Sequence, residues 1–301
     1  MRNKELRNEK LKNKKLWLGI CCLLAALAVL LIPALFKDKN FFVNYIDVGQ
    51  GDSILIGCGG HYALVDGGGS TMNVTDKGQY VVVPYLKALG ISHLDYCINT
   101  HPDADHIGGL FAVVDQMKVD NLGLHRDYGD NTLQKQLVTL AENRRTKVDY
   151  LGADDEIDLG GRVTVKVIAP EADKAFTAEN VNEGSLVLRV TYGEFDVLLD
   201  GDLQGAEQKE LLKRNEDWSE IEVLHIPHHG SKNSFDENWY GAFSPEAVMI
   251  SVGKDNSYGH PYSEITAYWQ NRGVKVFRTD IDGSVKITSD GKKGNYRTYV
   301  E

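Results

Sequence analysis

Hydrophobic residues fall in runs along most of the chain, and the period of each run predicts the element it forms. Short apolar runs rich in Val, Ile and aromatic residues, bounded by Gly, Asp or Pro, predict β-strands. Eleven such strands are expected, at 41–48, 53–56, 61–65, 94–99, 163–168, 185–191, 195–199, 222–226, 247–252, 274–278 and 284–288. Helical periodicity predicts helices at 80–89, 107–117, 132–145, 205–214 and 263–271. Strands with interspersed helices in both halves predict one α/β domain over residues 41–301, with two sheets that carry outer helices.

One apolar run differs from the others because it is long enough to cross a bilayer. Residues 16–36 contain no charged side chain, and a helix of that length spans about 30 Å of hydrocarbon. Seven Lys or Arg side chains precede this run, whereas only Lys37 and Lys39 follow closely. The positive-inside bias predicts a basic cytoplasmic tail over 1–15, a transmembrane anchor over 16–36 and an outward-facing domain beyond it. A cleaved signal peptide is the alternative, but its apolar core would be shorter and would end at a small-residue cleavage site.

The net charge of −10 hides a contrast between the two ends of the chain. Residues 1–36 hold seven basic and two acidic side chains, whereas residues 37–301 hold 26 basic and 41 acidic ones, net −15. Such an acidic domain argues against broad binding to nucleic-acid phosphates. Four cysteines are too few for a disulfide scaffold.

Side chains with metal-binding chemistry are concentrated just after a predicted strand. The segment THPDADHIGG, residues 100–109, places His101, Asp103, Asp105 and His106 within six residues. Imidazole and carboxylate groups are the ligands expected for Zn²⁺, Mn²⁺ or iron. On a turn between strand and helix, we expect the first His-Asp pair to project to one side and the second pair to the other. This arrangement suits two adjacent cations, and a polar capping turn is the alternative.

Three further segments with similar side chains also lie at the ends of predicted strands. They are LLDGD at 198–202, HIPHHGS at 225–231 and NSYGHP at 256–261. Each is weaker evidence alone, because an Asp-Gly pair also forms turns. They indicate a site only if the fold brings them to the 100–109 segment.

Together these segments resemble the metallo-β-lactamase-fold hydrolases, and most closely the extracellular hydrolase domain of ComEC-type competence proteins. The matching segments run in order as DVGQGDS (47–53), DGG (66–68), THPDADHIGG, EGSLVL (183–188), LLDGD, HIPHHGSKNS and NSYGHP. The resemblance implies an αββα sandwich with a metal site at one rim of the two sheets. Two features depart from the family. A single apolar span stands where ComEC proteins have a many-helix channel, and the histidine usual between the HxHxDH block and the bridging aspartate has no match.

The resemblance also implies roles for individual residues and a pair of divalent ions, zinc or manganese. The implied metal ligands are His101, Asp103, Asp105, His106, Asp202 and His229. Asp202 would bridge the two ions. The last ligand could be either member of the His228-His229 pair, and we favour His229, which leaves His228 to contact substrate. Asp66 would support the ligand loop. His260, with an ordinary pKa near 6.5, would donate a proton or contact a phosphate, and Asp105, His228 and His260 are therefore the expected catalytic residues.

The function expected from these features is that of a membrane-anchored, outward-facing, metal-dependent phosphodiesterase. A DNA nuclease related to competence and DNA uptake is the narrower version of this expectation. Its substrate would be a phosphodiester, for which DNA is one candidate, or another small ester. Residues 16–36 would contact the membrane. One alternative is a hydrolase of another ester, a lactone or a β-lactam, since the fold does not choose among them. Asp103 argues against a β-lactamase, whose first metal site is commonly His-rich. A binding subunit without catalysis is the other alternative, and the complete ligand set argues against it.

Overall fold

The computed structural model describes residues 17, 18, 20, 40–69, 76–214 and 216–300. By internal contacts the chain divides into two units, Met1–Asp38 and Lys39–Glu301. Among the described residues, no helix combines the length and the apolar character needed to cross a bilayer. The predicted cytoplasmic tail, residues 1–15, and most of the predicted anchor, residues 16–36, lie outside the described residues.

Fifteen strands in the described part of the chain form two sheets. They are β1 (Phe41–Tyr45), β2 (Ile54–Cys58), β3 (His61–Val65), β4 (His93–Asn99), β5 (Lys118–Leu124), β6 (Lys147–Tyr150), β7 (Glu156–Gly160), β8 (Val163–Ala169), β9 (Val187–Tyr192), β10 (Phe195–Leu199), β11 (Ile221–His225), β12 (Ala247–Ile250), β13 (Lys275–Arg278), β14 (Ser284–Ser289) and β15 (Gly294–Tyr299). The first sheet has the order β15-β14-β1-β2-β3-β4-β5-β6, and the second has the order β13-β12-β11-β10-β9-β8-β7. Strands β3 to β6 are parallel, as are β10 to β13, so each sheet combines a parallel part with an antiparallel part.

Short helices connect many of these strands. They are α1 (Val83–Ala88), α2 (Ala104–Ile107), α3 (Leu110–Gln116), α4 (Thr132–Asn143), α5 (Ala206–Leu211), α6 (Glu237–Gly241), α7 (Ser263–Gln270) and α8 (Thr279–Asp282). A π-helical turn, Gly78–Val82, leads into α1, and single 3₁₀ turns lie at Asn182–Gly184, Trp218–Glu220, His228–Gly230 and Lys232–Ser234. Helix α4, the longest in the described part of the chain, begins after Asn131, whose side chain accepts a hydrogen bond from the backbone N–H of Gln134 at 3.0 Å. This cap satisfies a backbone donor that the first helical turn leaves free.

Three apolar layers hold the sheets and helices together. In β1, Phe41, Val43 and Tyr45 pack between the sheets, whereas Phe42 packs on the outer side of the first sheet. Helices α1, α3 and α4 cover that outer side, and α5, α6 and α7 cover the outer side of the second sheet. Because both faces of the central strands are covered, their sequences are continuous apolar runs. The predicted αββα sandwich is confirmed.

Besides small differences in the ends of elements, four strands and the division of one helix differ from the sequence predictions. Strands β5, β6, β7 and β15 were not predicted, and β6 and β15 are edge strands of the first sheet. Edge strands carry charged and polar side chains, so the apolar pattern that reveals a central strand is weak in them. The helix predicted at 107–117 is instead two helices, α2 and α3, separated at Gly108 and Gly109.

Candidate metal centre

The predicted site residues meet at one rim of the sandwich, where the parallel strands of both sheets end. His101 follows β4 of the first sheet, while Asp202 follows β10 and the His228-His229 pair follows β11 of the second. His260 lies on the loop between β12 and α7. Ligands of α/β sheets generally bind beyond the carboxyl ends of parallel strands. The four segments that carry the chemistry therefore converge at one rim.

Asp202 lies at the centre of the cluster, and its two oxygens face different imidazoles. Its Oδ1 is 3.1 Å from Nε2 of His106 and 3.7 Å from Nε2 of His229. Its Oδ2 is 3.8 Å from Nε2 of His101 and 3.6 Å from Nε2 of His228. One carboxylate thus separates the cluster into an Oδ2 side, called here the first side, and an Oδ1 side, called the second side.

The two half-buried carboxylates of the ligand loop divide in the same way. Asp103 Oδ2 lies 3.8 Å from Nε2 of His101, on the first side. Asp105 Oδ2 lies 3.3 Å from Nε2 of His229, on the second side. The loop therefore projects its first His-Asp pair to one side and its second pair to the other, which is the grouping expected from its spacing.

The chemistry of these atoms fits divalent cations. The buried Nε2 atoms of His101, His106 and His229, and Oδ1 of Asp202, have no hydrogen bond of acceptable geometry to any described residue. Buried polar atoms without partners cost free energy. Two ligands of one tetrahedral cation, each at about 2.1 Å, lie about 3.4 Å apart, and the donor atoms here lie 3.1 to 3.8 Å apart. The donor set therefore fits a cation on each side of Asp202.

The second nitrogen of each second-side imidazole is held by the protein. Nδ1 of His106 lies 2.9 Å from Oδ2 of Asp66, and Nδ1 of His229 donates to the backbone carbonyl of Ser251 at 2.9 Å. Both acceptors require a proton on Nδ1, which leaves the lone pair on Nε2. Hydrogen bonds of this kind set the tautomer and the orientation of metal-binding histidines.

Asp66 also fixes the start of the ligand loop, as the sequence analysis predicted for it. Its Oδ1 accepts from the Asn99 amide at 2.9 Å and from the Thr100 backbone N–H at 2.8 Å. Its Oδ2 accepts from the Thr100 hydroxyl at 2.6 Å. Because that hydroxyl proton is used, the Thr100 oxygen can only accept from Nδ1 of His101, 3.1 Å away. The Ser185 hydroxyl lies farther from this nitrogen, at 3.3 Å. The shorter Thr100 contact favours a proton on Nδ1, which leaves the lone pair of His101 on Nε2.

A buried carboxylate–imidazole chain lies behind the second side, and no role was predicted for its members from the sequence. Asp52 Oδ1 lies 3.3 Å from Nε2 of His225, whose Nδ1 lies 3.1 Å from Oδ1 of Asp200. Asp52 is close enough to His106, Asp202 and His229 to form one group of possible ligands. However, it approaches the Nδ1 atoms of His106 and His229, at 3.8 and 3.9 Å, which are the nitrogens held by the protein. Asp52 thus lies on the Nδ1 side of both imidazoles, and neither of its oxygens has a hydrogen bond of acceptable geometry to a described residue.

All three members of this carboxylate–imidazole chain lie in the sequence motifs, but the spacing of the motifs does not predict that the three side chains lie together. Asp52 lies within DVGQGDS, Asp200 within LLDGD, and His225 opens HIPHHGS. All three side chains are fully buried. Burial opposes the charge of Asp52, but the imidazoles of His225, His106 and His229 lower the pKa of that carboxyl to about 2. Burial likewise opposes the charge of His225, yet Asp52 and Asp200 raise its pKa to about 10.

The carboxylates at the rim raise the pKa values of two of its imidazoles, His106 and His229, and so favour their protonated forms. Burial disfavours the charged form of His106, but the carboxylates of Asp202 and Asp66 hold its pKa well above the ordinary value. The pKa of His229 rises to about 9 because Asp202 and Asp105 outweigh its burial. The same pairings hold the pKa of Asp202 well below its usual range, again against burial. Protons and cations therefore compete for the same lone pairs.

The His228-His229 turn adopts an unusual backbone conformation. Both residues have left-handed backbones, with φ of 53° and 55°, which is strained for side chains other than glycine. Their rings are nearly perpendicular, at 79°, with centroids 6.1 Å apart. The turn thus directs one imidazole toward each oxygen of Asp202.

His260 lies beside this turn without approaching a carboxylate oxygen of the cluster. Its ring centroid is 5.7 Å from that of His228, and its Nδ1 is buried without a hydrogen bond to a described residue. Burial, followed by the nearby His229 and His228, lowers the pKa of His260 to about 4. Its imidazole is therefore neutral at neutral pH, and its pKa lies below the ordinary value near 6.5 expected from the sequence. A neutral imidazole donates one hydrogen bond and accepts another.

The three remaining histidines lie outside the cluster. His125 is buried and its Nε2 donates to the Lys174 carbonyl at 2.7 Å. His61 and His93 pair with Asp95 and Asp120, at 3.1 and 2.7 Å. None of the three supplies the histidine that the family usually has between its HxHxDH block and its bridging aspartate.

Comparison with known proteins identifies relatives for most of this domain. The model of the metallo-β-lactamase superfamily matches residues 46–253. ComE operon protein 3 of Bacillus subtilis (strain 168) is 28% identical over 293 residues, which are 93% of this chain and 37% of that protein. Competence protein ComA of Neisseria gonorrhoeae is 30% identical over 255 residues, 85% of this chain and 33% of that protein. The predicted relationship to ComEC-type competence proteins is confirmed, and this chain spans about a third of the length of these relatives.

Solved structures show the same fold with little sequence identity. CmlA, a diiron β-hydroxylase from Streptomyces venezuelae, superposes with a TM-score of 0.53 at 14% identity, over 84% of this chain and 54% of that chain. At this identity the likeness concerns the fold alone.

Proposed function

Since the chain belongs to the metallo-β-lactamase superfamily, we propose that it is a metal-dependent phosphodiesterase that cleaves DNA at the rim centre. The observation that carries the proposal is the division of ligands around Asp202. Its Oδ1 faces His106 and His229, at 3.1 and 3.7 Å, and its Oδ2 faces His101 at 3.8 Å. Paired cation sites sharing a carboxylate are typical of enzymes that displace oxygen at phosphorus. We propose Zn²⁺ or Mn²⁺ as the cations.

The chain's own residues hold and orient the reacting groups. Two divalent cations, when bound, act as Lewis acids for the attacking and leaving oxygens of such a reaction. Asp66 and the Ser251 carbonyl hold the second-side imidazoles by Nδ1, at 2.9 Å each. His260 stands at the edge of the cluster as a neutral imidazole, so it can donate a hydrogen bond from its N–H to a phosphate oxygen.

Two features support a phosphodiester over the other esters that this superfamily fold could accept. The first side contains a carboxylate, Asp103, beside His101, and carboxylates suit oxygen-preferring cations such as Mn²⁺. A relative that matches 85% of this chain is named Competence protein ComA, which supports DNA as the phosphodiester. Because residues 37–301 carry a net charge of −15, attraction of a phosphate would depend on the cations.

Hydrolysis assays with the purified full chain in detergent test the proposal. The protein is stripped of metal, reloaded with Mn²⁺ or Zn²⁺, and assayed on bis(p-nitrophenyl) phosphate and single-stranded DNA. We expect hydrolysis of both, dependent on added cation and absent in Asp202→Asn. A loaded, folded protein that hydrolyses a carboxylic ester, a lactone or a β-lactam but neither phosphodiester contradicts the proposal. Hydrolysis of no substrate would favour a binding subunit.

We further propose that residues 16–36 anchor the domain to the membrane with the N-terminus in the cytoplasm. The support is the uncharged run together with seven basic residues on its N-terminal side. Protease added to intact cells should then remove the domain formed by residues 41–301. Protection of the domain, or release of a soluble form cut near residue 36, contradicts this topology.

A further inference from the structure

The first side of the centre is short of one imidazole, since His101 and Asp103 are the only loop residues on it. We infer that His228 completes it, so that the adjacent residues His228 and His229 hold different cations. The inference rests on the proposed metal-dependent function. This role replaces the substrate contact expected for His228. It also supplies the imidazole that the family usually takes from between its HxHxDH block and its bridging aspartate, an interval in which His125 is the only histidine of this sequence.

The distance and the tautomer of His228 match those of a ligand. Its Nε2 lies 3.6 Å from Oδ2 of Asp202, within the range found for the other donor pairs. Its Nδ1 lies 2.8 Å from Oε1 of Gln204. An amide oxygen only accepts hydrogen bonds, so Nδ1 carries the proton and Nε2 keeps its lone pair. Gln204 thus does for His228 what Ser251 does for His229.

Another contact of the ring leaves this lone pair accessible. The amide nitrogen of Asn182 lies 3.4 Å from Nδ1 and 3.5 Å from Nε2 of His228. A donor almost equally far from both nitrogens is not aligned with the lone pair of either. The Oδ2 oxygen of Asp202 lies 3.6 Å from that Nε2.

The backbone explains how neighbouring residues reach opposite sides of one carboxylate. Two consecutive left-handed residues, His228 and His229, turn the chain so that their rings are nearly perpendicular. The N–H of His228 donates to the carbonyl of Gly201 at 3.0 Å, which ties the turn to the residue before Asp202. Strained conformations of this kind persist where the surrounding structure requires them, and they cluster at functional sites.

Metal titration of matched asparagine variants tests the inference. Asparagine tolerates left-handed backbone better than most residues, so His228→Asn and His229→Asn preserve the turn, and His228→Gly is a second variant for the same position. His61→Asn makes the same change at a histidine that pairs with Asp95 away from the centre. The metal-stripped full chain is titrated with Zn²⁺ by calorimetry, and bound zinc is counted by elemental analysis. We expect two equivalents in the wild type and in His61→Asn.

The variants should divide by side. His228→Asn and His228→Gly should weaken one equivalent at least about tenfold, since even residues that only support a ligand change metal affinity by about 10 to 100-fold. His229→Asn should weaken the other equivalent. Asp103→Ala combined with His228→Asn should keep one tight equivalent because both residues serve the first side, whereas Asp103→Ala combined with His229→Asn should keep none.

Three results would overturn the inference, and they are separable. Wild-type zinc affinity at both equivalents in the two folded His228 variants rejects His228 as a ligand. Loss of both equivalents in the Asp103→Ala, His228→Asn double variant rejects its assignment to the first side. Binding of fewer than two equivalents by the wild type contradicts the proposed function itself, and the inference with it. Thermal unfolding in the presence of chelator shows that each variant is folded.

Discussion

Each of the four imidazoles that face Asp202 uses one nitrogen to bind the protein and leaves the other toward that carboxylate. For His106 the protein-bound nitrogen faces Asp66, and for His229 it faces the Ser251 carbonyl. A histidine fixed in this way does not need to choose a tautomer or a rotamer when a cation binds, so less conformational entropy is lost. The residues that support the ligands therefore contribute to affinity without touching the cation.

The central place of Asp202 leads to a prediction about metal content. Asp202→Ala removes the one carboxylate that faces both sides, so both cations should be lost, whereas His101→Ala should affect only the first side. We expect near-complete loss of bound zinc in Asp202→Ala with the fold retained, because the apolar layers lie away from the rim. Elemental analysis and circular dichroism measure the two quantities. Retention of two equivalents by Asp202→Ala would show that it does not bridge.

His260 should influence turnover without influencing metal content. It lies beside the cluster as a neutral imidazole, with a pKa lowered to about 4 chiefly by burial. A neutral imidazole can donate a hydrogen bond to a phosphate oxygen but has no imidazolium proton to give to the leaving group. Loss of one such donor typically costs about 10²–10³-fold in rate, so His260→Ala should lose turnover in that range while it binds zinc normally. Because the leaving group is not protonated by His260, the deficit should be similar for bis(p-nitrophenyl) phosphate and for DNA. A much smaller deficit for bis(p-nitrophenyl) phosphate would indicate protonation of the leaving oxygen instead, and undiminished activity would reject a role.

His225 should stabilise the domain, because its imidazole pairs with the buried Asp52 carboxylate, whereas burial raises the pKa of Asp200, its other neighbour, to about 7. His225→Ala leaves Asp52 without its 3.3 Å partner in a fully buried position. Breaking a buried ion pair by removing one partner costs about 3–5 kcal/mol. Urea unfolding with chelator present measures the loss without a contribution from metal. Addition of Asp52→Asn to His225→Ala should recover part of it, and two additive losses would contradict the pairing.

At the scale of elements, the ligand loop depends on a close approach of two backbone segments. A Cβ on Gly109 would lie 1.9 Å from the carbonyl oxygen of Gly67, next to Asp66. The N–H of Gly67 in turn donates to the carbonyl of His106 at 2.8 Å. The Gly-Gly pair of THPDADHIGG thus lets the loop lie directly against the strand end that carries Asp66.

Gly109→Ala should therefore destabilise the domain by a steric route. Gly109 has an ordinary φ of −72°, so the substitution meets no backbone penalty, and overpacking against a rigid backbone costs about 1–3 kcal/mol. Gly273→Ala is the control, since Gly273 has φ of 73° but no atom within 4 Å of an added Cβ. This variant should lose stability only through its backbone conformation. Urea unfolding and zinc affinity are the measurements. Of the two variants, we expect only Gly109→Ala to weaken zinc binding. Unchanged zinc affinity in Gly109→Ala would show that this contact does not position the ligand loop.

Local spacing made part of this centre predictable and left the rest hidden. His101 to His106 lie on one turn, so their division into two sides follows from the segment itself. The chain from Asp52 through His225 to Asp200 joins distant positions, and only the fold places them together. The edge strands β6 and β15 were missed for a related reason, since an edge strand has a neighbour on one side and its sequence stays largely polar.

For the domain as a whole, the centre joins the two sheets. His101, Asp103, Asp105 and His106 follow a strand of the first sheet, whereas Asp202, His228 and His229 follow strands of the second. Cations held by both sets bind the native arrangement and not the unfolded chain, in which these residues are far apart. Metal binding should therefore stabilise the sandwich as a unit by mass action.

Chelation should lower the melting temperature of the whole domain and not merely loosen a loop. At a free zinc concentration of about 100 times the dissociation constant, one bound cation adds about 2.7 kcal/mol, which corresponds to about 5–10 °C for a domain of this size. Thermal unfolding followed by circular dichroism, with zinc and with excess chelator, measures the shift. Asp202→Ala should unfold at the same temperature under both conditions, since it lacks the carboxylate common to both sides. An equal shift in wild type and Asp202→Ala would mean that zinc stabilises the domain from somewhere other than this rim.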